Sequence, residues 1–486
     1  MLWQEIVQGL PELILILAAL FSVVWGAFRE EKSMPFLNIF AASAFLLAFL
    51  LTFFVGWHDQ TGFFGLLVFN AFTQFIKQVI LLAAAAVILM NCRQLGRDGL
   101  DRFEFPILIL FATAGMMMMV SAHDLIAFFM ALELQSLSLY ILVAFQRDQL
   151  FSTEAALKYF ILGALSTIFI LYGSSFLYAY AGGTQFSTIT ALLKTQGFNA
   201  LSLKVSILLV LIGVSFKIAV VPFHMWAPDV YQGSPTAVTA FLSSAPKAAG
   251  VAIFIRFILE IFHPLFADVN PFLIVLSVLS MLLGAFAALF QKNIKRLLAY
   301  GAMSHMGYAL LGLVGGHFDG VRSVLIYIGL YVIMSVTAFA CLLALRRHGK
   351  LVEDIDELSG LSADRPLIAG VFTITLFSFA GIPPLAGFFA KFSVFSAAIQ
   401  RELYGLALIG VLTSVVSAAY YLKIIKVIYF DKPLATDPVL KFDRVIPRET
   451  VLVMVIGLIL TVGYIFESGW LNESAYKATK ALYYRL

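Results

Sequence analysis

The stretch "VSFKIAVVPFHMWAP", Val214–Pro228, decides how this chain folds. It begins as an apolar helix. Lys217 then interrupts the apolar run, Pro222 follows five residues later, and His224 two after that. A proline inside a helix removes a backbone hydrogen bond and kinks it. In hydrocarbon, such a break survives only where protein or a water-filled cavity satisfies the freed carbonyls. A lysine and a broken helix in one apolar span therefore imply a polar interior.

The composition makes that span a membrane span. The chain has 486 residues, 61% hydrophobic and 12% charged, with mean hydropathy +0.96. Soluble domains carry about twice that charge fraction. Apolar runs of about 20 residues, each long enough to cross a bilayer as a helix, recur from end to end. No polar stretch is long enough to fold as a separate domain, which excludes a soluble enzyme on an anchor. The opening "MLWQEIVQGLPELILILAAL" has no basic n-region and reads as a retained first span. Cys92 and Cys341 form no metal-ligand pattern.

Fourteen spans are expected, near 10–28, 36–56, 69–92, 106–122, 125–145, 155–181, 205–227, 236–256, 271–290, 295–314, 323–345, 367–399, 404–430 and 447–466. With the N-terminus outside, the inner loops hold 17 of the 32 Lys and Arg residues and the outer side 8, Arg256 and Arg485 among them. The positive-inside bias therefore places both termini outside.

A second break, "AGIPPLAGF" with Pro383 and Pro384, lies five spans after Pro222. Five is odd, so the two broken helices cross in opposite directions. That is the pattern of an inverted repeat, spans four to eight against nine to thirteen; two independent proline kinks are the alternative. The expected divisions are 1–105, a three-helix segment; 106–262 and 263–430, the two repeats; and 431–486, a loop, span fourteen and a tail.

Charged groups at mid-bilayer are costly and need a reason. Glu133, Lys217, Lys247 and Lys391 are singly placed titratable groups on four different spans. Each has a plain structural reading: a hydrogen-bonded carboxyl for Glu133, ion pairs for Lys217 and Lys247, snorkelling for Lys391. The functional reading is a row of proton-holding sites. Burial and a nearby carboxylate act on an ammonium in opposite senses, so a small rearrangement loads or unloads it. His305 adds a group that titrates near neutrality and is read either as a packed histidine or as the repeat's counterpart of Glu133. Lys158 pairs on one face with Glu154, and His224 either bonds a freed carbonyl or takes part in the relay. Lys77 reads as snorkelling outward, Asp229 as a group at a span end, Lys295 and Arg296 as inner-interface anchors, and Lys423 and Lys426 as snorkelling residues.

"FKIAVVPFHMWAPDVYQGSP", "APKAAG", "NIKRLLAYGAMSHMGY" and "AGIPPLAGFFAKF" together resemble the antiporter-like membrane subunits of proton-pumping NADH:quinone oxidoreductase, respiratory complex I. The likeness spans essentially the whole chain. "DVYQGSP", a lysine at position 391 and an end at residue 486, with no long lateral helix, point to the N-type subunit. The resemblance implies an all-α polytopic membrane protein of about fourteen helices, with two inverted five-helix repeats containing broken helices. It implies that Glu133 and Lys217 form the carboxylate–lysine pair of a first half-channel, that Lys247 connects, that His305 relays, and that Lys391 serves the second half-channel. Lys158 and His224 match family positions with open roles. The expected function is outward proton translocation coupled to quinone reduction elsewhere in the complex. No cofactor is expected in this chain; NADH, FMN, iron–sulfur clusters and quinone belong to partner subunits. Expected partners are other membrane subunits, neighbouring antiporter-like subunits, a lateral helix of the L-type subunit, and lipid, with no nucleic acid. The expected location is the bacterial inner membrane. A subunit of a cation/proton antiporter or membrane hydrogenase, and a passive structural subunit, are the alternatives.

Overall fold

The computed structural model describes residues 2–55, 57, 59–196, 201–432 and 441–484; Arg485 lies outside them. The principal helices, labelled in chain order, are α1 (Leu10–Arg29), α2 (Met34–Leu51), α3 (Ala71–Asn91), α4 (Glu104–Ser121), α5 (Leu125–Val143), α6 (Leu150–Ala181), α7 (Leu201–Ile218), α8 (Trp226–Gly233), α9 (Thr236–Leu242), α10 (Ala245–Arg256), α11 (Phe266–Leu289), α12 (Ile294–Leu313), α13 (Phe318–Ala344), α14 (Pro366–Ala380), α15 (Ala386–Gln400), α16 (Tyr404–Tyr429), α17 (Arg448–Gly463) and α18 (Gly469–Tyr483).

Among the described residues, eleven helical segments are long and apolar enough to cross a membrane. The other three expected spans fail that measure for visible reasons. α12 carries Lys295, Arg296 and His305; α14 and α15 are the halves of a broken span; α17 has only 16 residues. The expected eighth span is also broken, into α9 and α10, rather than continuous. Pro246 has no N–H for the Leu242 carbonyl, which accepts from Tyr231 Oη instead, while Ser243 and Ser244 bond back to Ala240 O. The segment Thr236–Ile261 and α13 are almost wholly buried and form the middle of the bundle. Leucine, isoleucine and phenylalanine side chains on α1, α2, α6, α16 and α17 face outward.

The internal repeat is written in backbone contacts. Asp124 caps α5 by accepting from Ile126 N and Ala127 N, and Asn293 caps α12 by accepting from Arg296 N. Each cap residue bridges to a chain segment beyond the next two main helices: Asp124 to Gln185, and Asn293 to Asp354. Leu125 N donates to Thr184 O and Ile294 N to Glu353 O; Phe186 N donates to His123 O and Ile355 N to Lys292 O. A side chain at Gly115 would meet Ala131 O and Gln135 N, and one at Gly284 would meet Tyr300 O and Ser304 N. Every one of these pairs is 169 residues apart. α4–α5 and α11–α12 are thus the same close-packed helix pair, with a small residue at each crossing. Five crossings separate the copies, so they run in opposite directions.

The polar tail expected after span fourteen folds as α18. Leu471, Ala475, Ala478 and Leu482 recur at helical spacing and are buried against α3 and α13.

Candidate functional site

The two breaks share one backbone. Ala219 and Gly381 have positive φ, and the Val221–Pro222 and Pro383–Pro384 bonds are both cis. Val220 N donates to Ser215 O, and Ile382 N to Phe377 O. Equivalent residues of the two breaks are 162 apart. Several of the freed carbonyls find side-chain donors, as a break in hydrocarbon requires. In the first break Trp226 Nε1 donates to Phe216 O at 3.0 Å and Lys247 Nζ to Ile218 O at 2.7 Å. In the second, Lys391 Nζ donates to Ala380 O at 3.0 Å. Ile218 and Ala380 are equivalent positions, so each break hands its last helical carbonyl to a buried lysine. Lys391 also donates to Ser414 Oγ at 2.8 Å, and Lys247 and Lys391 lie over the rings of Trp226 and Tyr308. Gly381 combines positive φ with space for a lysine: a side chain there would meet Lys391 Cδ at 3.0 Å.

Lys217 stands at the penultimate residue of α7, against the break rather than at mid-helix. Glu133 and Lys217 make no direct hydrogen bond, although the carboxylate's charge acts on the ammonium. Lys217 Nζ donates to Ser136 Oγ at 3.0 Å, and Glu133 Oε1 accepts from Thr167 Oγ1 at 2.9 Å. Ser136 is one turn beyond Glu133 on the same face of α5, so the lysine engages that face one turn away from the carboxylate. Glu133 is half-buried beside Met130 and Leu137, which are exposed.

His305 Nδ1 and Tyr327 Oη are 2.5 Å apart, and the imidazole is ringed by Tyr308, Tyr331 and Phe379. The repeat register sets Ala302 opposite Glu133 and His305 opposite Ser136, so the carboxylate has no titratable counterpart in α12. Phe379, which packs on His305 with centroids 5.2 Å apart, is the equivalent of Lys217. The contact recurs and its chemistry changes. A cavity of about 10 Å³, at the threshold for one water, is lined by Ser243, His305, Tyr331 and Ser335. Ser243 lies in the α9–α10 break, four residues before Lys247, and its hydroxyl accepts from Ser335 Oγ at 2.8 Å.

A family profile described as NADH:quinone oxidoreductase/Mrp antiporter, TM, matches residues 122–417. NADH-quinone oxidoreductase subunit N of Parvibaculum lavamentivorans is 47% identical over 439 residues, 90% of each chain. The chain belongs to this family. Subunit N 1 of Rhizobium meliloti is 48% identical over 427 residues, covering 87% of this chain and 88% of the relative. A chain of respiratory complex I from Thermus thermophilus superposes with TM-score 0.80 at 29% identity, over 95% of this chain and 98% of the other. A chain of the Mrp complex from Dietzia sp. shares the fold, with TM-score 0.86 at 22% identity over 99% and 98%.

Other charged groups of this antiporter-family chain sit elsewhere than the lysine row. Lys158, half-exposed, pairs with Glu154 at 2.8 Å and with Asp229 at 2.9 Å; Asp229 also pairs with Arg296 at 2.6 Å. Asp229 is therefore a tie between the two repeats rather than a free end. His224 is half-buried in the loop of the first break. Lys295 is buried and pairs with Glu353 at 2.7 Å, while Lys423 and Lys426 are exposed. Lys77 does not snorkel: it is fully buried and pairs with Glu12 at 2.5 Å. Arg256, expected on the outer side, is fully buried and pairs with Glu260 at 2.6 Å. Among the described residues no group of three or more His, Cys, Asp or Glu is placed to hold a metal.

Proposed function

We propose that this chain is the N-type proton-translocating membrane subunit of an NADH:quinone oxidoreductase. The observation that carries the reading is the repeated break, each with its last carbonyl held by a buried lysine. A lysine in that position has a carbonyl to hold its ammonium and an apolar wall that penalises its charge, so its proton is exchangeable. Lys217 on Ser136, Lys247 on Ile218 O, the Ser243–His305 cavity and Lys391 form one row across both repeats. In this reading a signal from a neighbouring subunit shifts Glu133, at the exposed edge of α5. Lys217 then passes a proton along Lys247 and His305 towards Lys391, which releases it outward; Lys158 and His224 are secondary. Moving one proton against 100 mV costs about 2.3 kcal/mol, which the redox chemistry of partner subunits supplies.

The same reading divides the chain at 1–105, 106–262, 263–430 and 431–486 and puts both termini on the outer side of a bacterial inner membrane. It assigns NADH, FMN, iron–sulfur clusters and quinone to partner subunits. It places neighbouring antiporter-like subunits, and a lateral helix of the L-type subunit, against the exposed apolar faces. Replacing Lys217 with Ala in the whole complex and measuring protons translocated per NADH in vesicles tests it. A lower ratio is expected, and an unchanged ratio overturns the assignment.

A further inference from the structure

Two buried ion pairs lie outside the lysine row, at the end of the bundle where α1 and α3 begin. Glu12 on α1 and Lys77 on α3 are 2.5 Å apart, with side chains 5% and 0% exposed. Arg256, at the end of α10, is held by Glu260 and donates to Val120 O and Ala122 O. α10 packs on α3, and the charges of Lys77 and Arg256 act on each other. Lys77 also lies 4.8 Å from the Phe69 ring, on the β-hairpin Gln60–Gly62 and Leu67–Phe69 that covers this end.

Three features make this more than a structural clamp. First, Asn70, Gln74 and Lys77 share one face of α3. Gln74 is fully buried, and among the described residues neither atom of its amide, nor Asn70 Nδ2, meets a hydrogen-bond partner. Buried amides of this kind are the ordinary seats of internal water. Second, Glu260 forms part of the wall of a pocket of about 450 Å³, with Asp59, Thr61, His123, Thr190 and Lys194. Third, α10 carries both Arg256 and Lys247, nine residues apart, so the pair and the lysine row share one helix.

We propose that the Glu12–Lys77 pair is a proton-holding site separate from the two repeats, connected through Arg256 and Glu260 to the aqueous pocket at this end. The inference rests on the proton-translocation reading above. The chemistry needs no co-reactant. A proton from water taken by the Glu12 carboxylate gives ammonium and carboxylic acid. A proton lost from Lys77 Nζ to water gives amine and carboxylate. Transfer between the two over 2.5 Å changes no net charge. Arg256, paired with Glu260, links the pair to the pocket that Glu260 lines. A change of charge on Lys247 reaches the pair along α10.

The test is Lys77→Arg in the assembled complex. Arginine keeps the charge and the ion pair but does not release a proton. The proposal expects a complex that assembles and yields fewer protons per NADH; a purely structural pair expects the wild-type ratio. Glu12→Gln supplies a second readout. The infrared difference spectrum between resting and NADH-energised vesicles should contain a carboxyl C=O band that vanishes in this variant and persists in Glu133→Gln. A wild-type ratio in Lys77→Arg, or the absence of a Glu12 band, overturns the proposal. If Lys217→Ala lowers the ratio while Lys77→Arg does not, only this site fails. If Lys217→Ala is itself silent, the underlying reading fails first. Should Lys77→Arg not assemble, the Glu12 band decides.

Discussion

Gly387→Ala puts the geometry of the second break under direct load. Gly387 opens α15 one residue after its start, and a Cβ there would stand 1.8 Å from Ser378 O and 2.6 Å from Ser378 C. Both are backbone atoms, so no rotamer relieves the clash. Restoring ordinary contact, from 1.8 Å to about 3.4 Å, means parting α14 from α15 by roughly 1.6 Å. The Lys391–Ala380 bond, now 3.0 Å, spans the same two helix ends and would open beyond hydrogen-bond range. Overpacking costs about 1–3 kcal/mol, and a lost hydrogen bond to a charged group adds about 1.5–3 kcal/mol. The expected total is about 2.5–6 kcal/mol. Gly370→Ala is the control: a Cβ there meets nothing within 4 Å, and the change is expected to be neutral or slightly stabilising. The assays are thermal unfolding of the purified complex and protons per NADH in vesicles. Gly387→Ala should lower both and Gly370→Ala neither. A Gly387→Ala complex with wild-type stability and pumping would refute the argument that the tight α14–α15 junction seats Lys391.

Ser136→Ala should lower protons per NADH by removing the acceptor of Lys217, at a cost of about 1.5–3 kcal/mol. Ser136→Thr, which keeps the hydroxyl, should restore it, and equal behaviour of the two variants counts against the bond. Asp229→Asn releases Lys158 and Arg296 together. The pairs are part-exposed, so a loss of about 1 kcal/mol or less is expected in thermal unfolding. A large loss would show that the tie between repeats matters more than its exposure implies.

The parts of the fold legible in the sequence were those set by local chemistry. Pro222 and Pro383–Pro384 announced both breaks because a missing N–H is a property of the residue itself. Lys217, Lys247 and Lys391 stood out because a charge in an apolar run needs no partner to be noticed. Partners were harder. Ser136, Thr167 and Ser414 are unremarkable in sequence, yet they decide where each charged group points. Lys77 reads as snorkelling from sequence because a lysine near a helix end usually does. Its partner Glu12 is 65 residues away, and a hairpin closes over it. The α9–α10 break has a local signal, Ser-Ser before Ala-Pro, inside an apolar run whose length alone suggests one continuous span. The pairing of His305 with Glu133 failed because it matched residue function across the repeat, whereas helix caps and close glycine crossings set the register.

The caps, bridges and glycine crossings recur at a spacing of 169, and the breaks at 162. The seven-residue difference falls between Gln185 and Ile218 in one copy, and between Asp354 and Ala380 in the other. What both copies retained is scaffolding; what they let drift is chemistry, serine becoming histidine and lysine becoming phenylalanine on one unchanged frame. Each half is thus a natural experiment on the other. A residue moved between equivalent positions meets the same backbone but different neighbours, as Ser136 against Lys217 and His305 against Phe379 show, so side chains exchanged between halves must move together with their partners.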